Sequence, residues 1–379
     1  MKTVLALHTV NNWMWYVQLA GLRRFASESS WRLEVRRVSE DPAKLNREAE
    51  RAIAATNPVG VIALTARTLS EKTLGGRPVV YYDSPAATEP GVTSVRHDAA
   101  ETAHLAAREL FSMKRRHFAF AAYYPGFVWC DERETAFAEE VRRRQGELMP
   151  AFHPVRASLA AFRRGLRDWL RGLPKPCGIF AANDFVAEQV IRVAVDCGFA
   201  VPDEVAVVGV DDDRVRCART DPSITSVAPD WEGGAFQAVT VLSDALRGRH
   251  VSAVHLFRPL GLIRRDSTAR PGVIPTFGVA AAVELIRAKA CQGLGVPEVV
   301  AVMRCSRRLA EMQFRSATGT SILEEIRRVR IENARVALSY SDREINAIAN
   351  ACGFKSVPTF CNEFKRATGL TPREWRRLR

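Results

Sequence analysis

Over the first 270 residues, short apolar runs alternate with segments whose apolar positions recur every three or four residues. The short runs at 2–7, 32–38, 59–64, 78–82, 118–122, 152–155, 178–181 and 205–210 are expected to be strands. The stretches between them, ending near 25 and then at 43–55, 99–110, 132–144, 159–170 and 185–197, are expected to be helices. Strands apolar on both faces belong to parallel sheets covered by helices on either side. Two such runs predict two doubly wound α/β lobes. Ligands in such folds bind beyond the C-terminal strand ends, here the cleft between the lobes.

Past residue 277 the strand rhythm stops and only helical spacing remains. A pattern also repeats at an offset of fifty: Ser306/Ser356, Phe314/Phe364, Arg315/Lys365, Ala317/Ala367, Thr318/Thr368 and Gly319/Gly369. A Ser that can cap a helix, one polar helix anchored by a Phe, and a Gly beyond its end make up each copy. Asp342 is a further cap, and Pro358 fits a first turn. Ile345, Ile348 and Ala349 followed by Gly353 place a helix and a tight turn before the second copy. Val299, Val300 and Met303 do so before the first, with Cys305 where the turn glycine is expected. The expectation is two helix-turn-helix units joined by one helix over 322–338, about 25 Å long. Such a unit can set two recognition helices in adjacent major grooves of double-stranded DNA, about 34 Å apart.

Charge follows this division. The net charge is +13. Residues 271–379 hold 18 Lys and Arg against 10 Asp and Glu, and the first 270 hold 37 against 32. A basic bias on a small helical module suits nucleic acid. Eight cysteines form no CxxC pair, so reduced thiols, no metal and no cofactor are expected. Without a leader or a membrane-spanning run, a cytoplasmic chain with no membrane partner is expected.

The expected strand ends carry His8, Asn11, Asn12, Trp13, Trp15 and Tyr16, then Asp83, then Trp129, Asp131 and Arg133, then Asn183 and Asp184, then Asp211, Asp212 and Asp213. Aromatic rings can cover the C–H face of a neutral polyol, and planar Asn, Asp and Arg groups can bond its hydroxyls in pairs. The residues singled out for ligand contact are Trp129, Arg133, Asn183, Asp184, Asp211, His8 and Trp13. A plain alternative stands beside each, and for Trp13 or its neighbour Trp15 it is inward packing. Arg133 could pair with Glu134 or Glu140, Asn183 or Asp184 could cap the next helix, and Asp211 could cap a turn. Trp129 could pack lobe against lobe, and His8 could be structural. On the DNA side the candidates are Ser306, Arg307, Arg308, Glu311, Met312 and Arg315, with Ser356, Val357, Pro358, Thr359, Asn362, Lys365 and Arg366. Arg308, Glu311, Met312 and Asn362 stand where bases are read, whereas Arg315, Lys365, Arg366 and Arg376 suit phosphates.

Two resemblances sharpen this. Ile348 to Ser356, then Phe360, Phe364-Lys365, Gly369, Thr371-Pro372 and Arg376, resembles the AraC-type DNA-binding domain signature. Phe180-Ala181-Ala182-Asn183-Asp184, the run Val201 to Asp211, Ile224 to Val227, and Trp129-x-Asp131-Glu132-Arg133 resemble the LacI-type ligand-binding domain, which has the periplasmic sugar-binding protein fold. That likeness implies sugar contacts for Arg133, Asn183, Asp184 and Asp211. The order, sensor first and AraC-type part last, is similar to the xylose-operon regulator family, as are Pro259-Leu260-Gly261 and Arg264-Arg265-x-Ser267-Thr268. It implies a two-lobed sensor over 1–268, a linker over 269–277 and a tandem helix-turn-helix domain over 278–379. It also implies an activator responding to xylose or another pentose or hexose, acting as a homodimer, with RNA polymerase a further candidate partner. One departure stands out: Tyr16 occupies the place where the family tends to carry an Arg.

Other classes fit less well. A plain sugar-binding or transport component predicts a leader and an uncharged tail, and the tail here is basic. A sugar-modifying enzyme needs a nucleophile elbow, phosphate loop or His-rich metal spacing, and none is legible, so the expectation is a non-enzyme.

Overall fold

A computed structural model describes residues 2–9, 13–29, 31–123, 127–154, 158–269, 277–318, 320–340 and 343–377. The chain enters through strand β1 (Thr3–His8), followed by helix α1 (Trp13–Ser29), β2 (Arg32–Arg37), α2 (Pro42–Thr56), β3 (Gly60–Leu64), α3 (Glu71–Leu74), β4 (Val79–Tyr82) and β5 (Ser94–His97). Each junction has a local cause. Asp41 caps α2 by accepting from Ala43 N at 2.9 Å, and Pro42 sits in the first turn. Asp98 does the same for α4 (Ala99–Ser112), accepting from Glu101 N at 2.9 Å.

With α4 the chain has crossed into the second lobe. There follow β6 (His117–Ala121), α5 (Val128–Arg143), β7 (Glu147–Leu148), α6 (Leu159–Gly172), β8 (Cys177–Ala181), α7 (Asp184–Asp196), β9 (Val205–Val210), α8 (Arg214–Arg219) and β10 (Thr225–Pro229). Helix α9 (Trp231–Ala245) then returns to the first lobe and packs on α1, β11 (Val254–Phe257) joins the first sheet, and β12 (Pro259–Ile263) crosses back. The first sheet runs β11-β5-β4-β3-β1-β2 and the second β12-β10-β9-β8-β6-β7. Each sheet has apolar clusters on both faces, so its central strands are fully buried.

Three expectations need correction. The lobes are not two consecutive runs, because the chain crosses between them after β5, after β10 and after β11. The second sheet is not wholly parallel: β12, arriving from the other lobe, lies antiparallel along β10. Of the strand expected at 152–155, residue 155 lies outside the described residues and Phe152 makes a single bridge to Ala121, while β7 takes the edge place.

The remaining helices are α10 (Phe277–Lys289), α11 (Val296–Val302), α12 (Arg307–Thr318), α13 (Ile322–Tyr340), α14 (Ile345–Ala351), α15 (Val357–Thr368) and α16 (Pro372–Arg377). They bury two clusters, one around Phe314 and one around Phe360 and Phe364, with α13 contributing to both. Among the described residues no helix is long and apolar enough to cross a membrane. Of the expected linker 269–277, residues 270–276 lie outside the described residues, as do Asn11, Asn12, Gly319 and Asp342.

Candidate functional site: an interlobe cleft and a duplicated helix-turn-helix

A cleft of about 280 Å³ opens between the lobes, lined in part by Asp83, His97, Trp129, Arg133, Asn183, Asp211 and Trp231. Arg133, on the first turns of α5, is buried to 2 % exposure. It does not pair with Glu134 or Glu140. Its guanidinium donates to Ala182 O at 2.5 Å in its own lobe and to His97 Nε2 at 2.8 Å in the other. Arg has donors only, so His97 Nε2 must accept and the ring proton must sit on Nδ1. That nitrogen faces Asp83 Oδ1 at 2.9 Å. A second tie, Arg96 to Glu132 at 3.1 Å, spans the same gap nearer the surface.

The electrostatics follow from burial. Burial alone would raise Asp83, but His97 beside it and its hydrogen bonds hold the carboxyl below its ordinary value. Asp211 has less help. Burial pushes it up to about 7 against the pull of Arg133, with Asp83 and Asp213 adding repulsion. Its backbone has φ of 109°, a conformation that costs on the order of 1–3 kcal/mol and is kept where it aims a group at a site.

Of the acidic triplet only Asp211 turns into this cleft. Asp212 is bound by Arg265 at 2.6 Å, and Asp213 caps α8 through Arg216 N at 3.1 Å. Asn183 does two things: its side chain accepts from Val186 N at 3.0 Å, capping α7, and it lines the cleft. Asp184 is not at the cleft wall. Its carboxylate lies 1 % exposed behind β9, accepting from Asp213 N at 2.8 Å, and burial followed by Asp211 keeps its pKa raised. A Cβ at Gly209 would stand 2.3 Å from the Asp184 carboxylate, so only glycine leaves it room.

Trp129 forms part of the wall, with the Arg133 guanidinium carbon 4.8 Å from its ring centre. His8 is stacked on Trp15 at 3.9 Å inside the first lobe, away from this wall. Trp13 begins α1, and its side chain lies outside the described residues. Tyr16 is 64 % exposed and faces a second, larger cavity beyond Asp211. His97 and Trp231 were missed in sequence. His97 ends β5, a strand too short to stand out, and Trp231 follows Asp230 at the second crossing.

In the helical part the repeat extends past its motif. Thr318 and Thr368 each donate to the Phe four residues earlier at 2.8 Å. Ser321 N donates to Glu324 and Thr371 N to Glu374, both at 2.7 Å, so the following helices are capped alike. Ser306 and Ser356 accept from Leu309 N at 3.4 Å and Thr359 N at 3.3 Å. The left-handed residue of the first turn is Arg304 (φ 49°), not Cys305, whereas Gly353 (φ 78°) fills that role in the second.

Ala310 and Phe314 are buried, which sets the phase of α12. Arg307, Arg308, Met312 and Arg315 are then exposed, and Glu311 turns toward α13, accepting from Ile322 N at 3.3 Å. On α15, Pro358, Thr359, Asn362, Lys365 and Arg366 are exposed, and Val357 is half-buried.

The two parts pack together through α1 on α13, α12 on β12 and α10. Arg287 forms an ion pair with Asp230, the cap of α9 at the second lobe crossing, and Glu284 pairs with Arg214, just after the acidic triplet.

Comparison with known proteins agrees with this architecture. Residues 112–268 match the periplasmic binding protein-like domain family, and residues 299–378 match a helix-turn-helix domain family. The chain is similar to the xylose operon regulatory protein of Escherichia coli K12, 29 % identical over 254 residues. That match spans 66 % of this chain and 64 % of the relative's own length. The HTH-type transcriptional activator RhaR of Salmonella arizonae is 41 % identical over 75 residues, 20 % of this chain and 27 % of that protein. The solved structure of the xylose-binding transcription activator xylR has the same fold, with a TM-score of 0.58 at 24 % identity, covering 99 % of this chain and 98 % of that one. The chain thus carries a match to a periplasmic binding protein-like domain ahead of a match to a helix-turn-helix domain and is similar to the xylose operon regulatory proteins.

Proposed function

We propose that this chain is a transcription regulator, an activator, that binds double-stranded DNA through α12 and α15 and responds to a small sugar held in the interlobe cleft. It is not an enzyme in this reading. The observation that carries it is spatial: the cleft walls and α10, the helix packed against α11, α12 and α13, meet at the Asp230–Arg287 ion pair, one residue from the cleft-lining Trp231.

Residues 1–268 form the sensor, 269–277 the link and 278–379 the DNA-binding part. Trp129 and Trp231 cover the apolar faces of a sugar ring, Arg133 donates to its oxygens, and Asn183 and Asp211 bond its hydroxyls. The names of the relatives favour xylose, and Tyr16 in place of a family arginine favours testing neighbouring pentoses and hexoses as well.

A sugar that takes over hydrogen bonds from His97 or Arg133 changes the balance of contacts across the cleft. Only a ligand with different affinity for two lobe settings shifts their populations. Because α10 is tied to the crossing at Asp230 and to α8 at Arg214, such a shift alters how the DNA-binding part is held. The chain acts inside the cell as a homodimer, with RNA polymerase as a partner at the promoter.

Calorimetric titration of the full chain with D-xylose and a panel of pentoses and hexoses tests the sensor half. Saturable binding of one sugar, lost in Asp211→Ala, is expected. Heat from none of them contradicts the reading.

A further inference from the structure

Cys291 follows α10, in the short connection to α11, and Cys352 ends α14 in the turn of the second helix-turn-helix. Sixty-one positions apart in sequence, the two lie in one apolar cluster. The turn at Gly353 presses so closely on this connection that an added Cβ would stand 3.0 Å from Ala290 O and Cys291 O. Cys352 lies within hydrogen-bonding reach of the Cys291 sulfur in this cluster, and Asn333 Nδ2 donates to the same atom at 3.0 Å.

We propose that Cys291 and Cys352 form a reversible redox-modification site, closing to an intramolecular disulfide when the chain meets a peroxide. The geometry supplies each requirement. Cys291 is half-buried, so a small oxidant can reach it, and Cys352 is buried directly against it as the resolving thiol. The hydrogen bond from Cys352, then that from Asn333, with Arg330 and Arg24 nearby, holds Cys291 below the ordinary thiol value and favours its thiolate. The Cys130 and Cys177 thiols are instead pushed by burial to about 12 and about 11 and stay inert.

The step balances. The Cys291 thiolate attacks one oxygen of hydrogen peroxide, the O–O bond breaks, and the departing hydroxide takes a proton to leave as water. The Cys352 sulfur, giving up its proton, then displaces hydroxide from the resulting sulfenic acid, which leaves as the second water. Two thiols have lost two electrons and the peroxide has gained them. An added dithiol reverses the bond by exchange. The closed bond fixes the second helix-turn-helix to the connection after α10, the helix paired with the lobe crossing. That consequence rests on the function proposed above, but formation of the bond does not.

The test is a peptide map of the full chain treated with hydrogen peroxide, quenched with N-ethylmaleimide and digested with trypsin without reductant. Cys291 and Cys352 fall alone in the tryptic peptides 290–304 and 344–355. The expected result is one dominant cross-linked pair of these peptides, removed by dithiothreitol. A map in which Cys291 is oxidised but unlinked, or in which other cysteines are linked instead, overturns the proposal. Alkylation rates on the reduced chain give a second measurement. Cys352→Ala should slow iodoacetamide labelling of Cys291 at pH 6.5 by about tenfold, from the lost thiolate fraction. An unchanged rate also overturns it.

Discussion

Arg287 and Asp230 are paired across the boundary between the helical part and the two lobes, both almost buried, and Asp230 immediately precedes Trp231 in the cleft wall. A buried pair of this kind fixes a setting more than it adds stability. Replacing Arg287 with Met should leave sugar affinity within about threefold while the effect of sugar on DNA affinity falls at least fivefold. Calorimetry beside fluorescence anisotropy on a bound duplex separates the two. A variant that keeps full sugar dependence removes this pair from the coupling route.

Asp211 contributes a pH dependence at the cleft. Its folded pKa is raised to about 7 by burial, so its contribution favours folding below the unfolded value near 4 and is lost as pH rises through 7. Asp211→Asn should therefore raise the ligand-free melting temperature at pH 8 and flatten its fall between pH 4 and 7. Sugar hydroxyls that donate to the carboxylate favour the charged form. Affinity should accordingly weaken as pH drops from 8 to 6 in the parent chain and stay level in the variant.

His97 is expected to act through Arg133. His97→Leu removes the acceptor at 2.8 Å and should reduce sugar affinity about tenfold, because the guanidinium is no longer held at its place in the wall. Arg133→Ala should cost more, about a hundredfold, and should lower the melting temperature as well, since it also leaves Ala182 O unpaired. Equal effects of the two substitutions would show that His97 does more than position the arginine.

On the DNA side, Arg308 and Lys365 are both exposed but stand at different places on their helices. Arg308→Ala should lose about 1–3 kcal/mol at one base position and little on unrelated duplexes. Lys365→Ala should weaken all duplexes alike and reduce the salt slope by about one. Electrophoretic shifts at several salt concentrations distinguish them.

Much of this was legible in the residues. Apolar runs such as 205–210 and the capping Ser356 with Pro358 and Gly369 carry their own local signals, and the structure places each as read. Arg133 and Asp211 stood out because a charged group beside an apolar strand demands an explanation. Asp184 was misread for the same reason, since a buried carboxylate serving Asp213 N and one facing a ligand look alike in sequence. His97 gave no such signal, and its role exists only because β5 ends opposite α5 of the other lobe. The crossings at Asp98, Asp230 and Arg258 depend on pairings far apart in the chain, such as β11 with β5, which no local pattern encodes.

One measurement addresses the central claim directly: the affinity of the full chain for a duplex selected from a random pool, followed by anisotropy as D-xylose or the best-binding sugar is added. The expected result is a change of at least tenfold, half complete at the sugar concentration where calorimetry shows half-saturation. A duplex affinity that stays constant while the cleft fills with sugar would contradict the account.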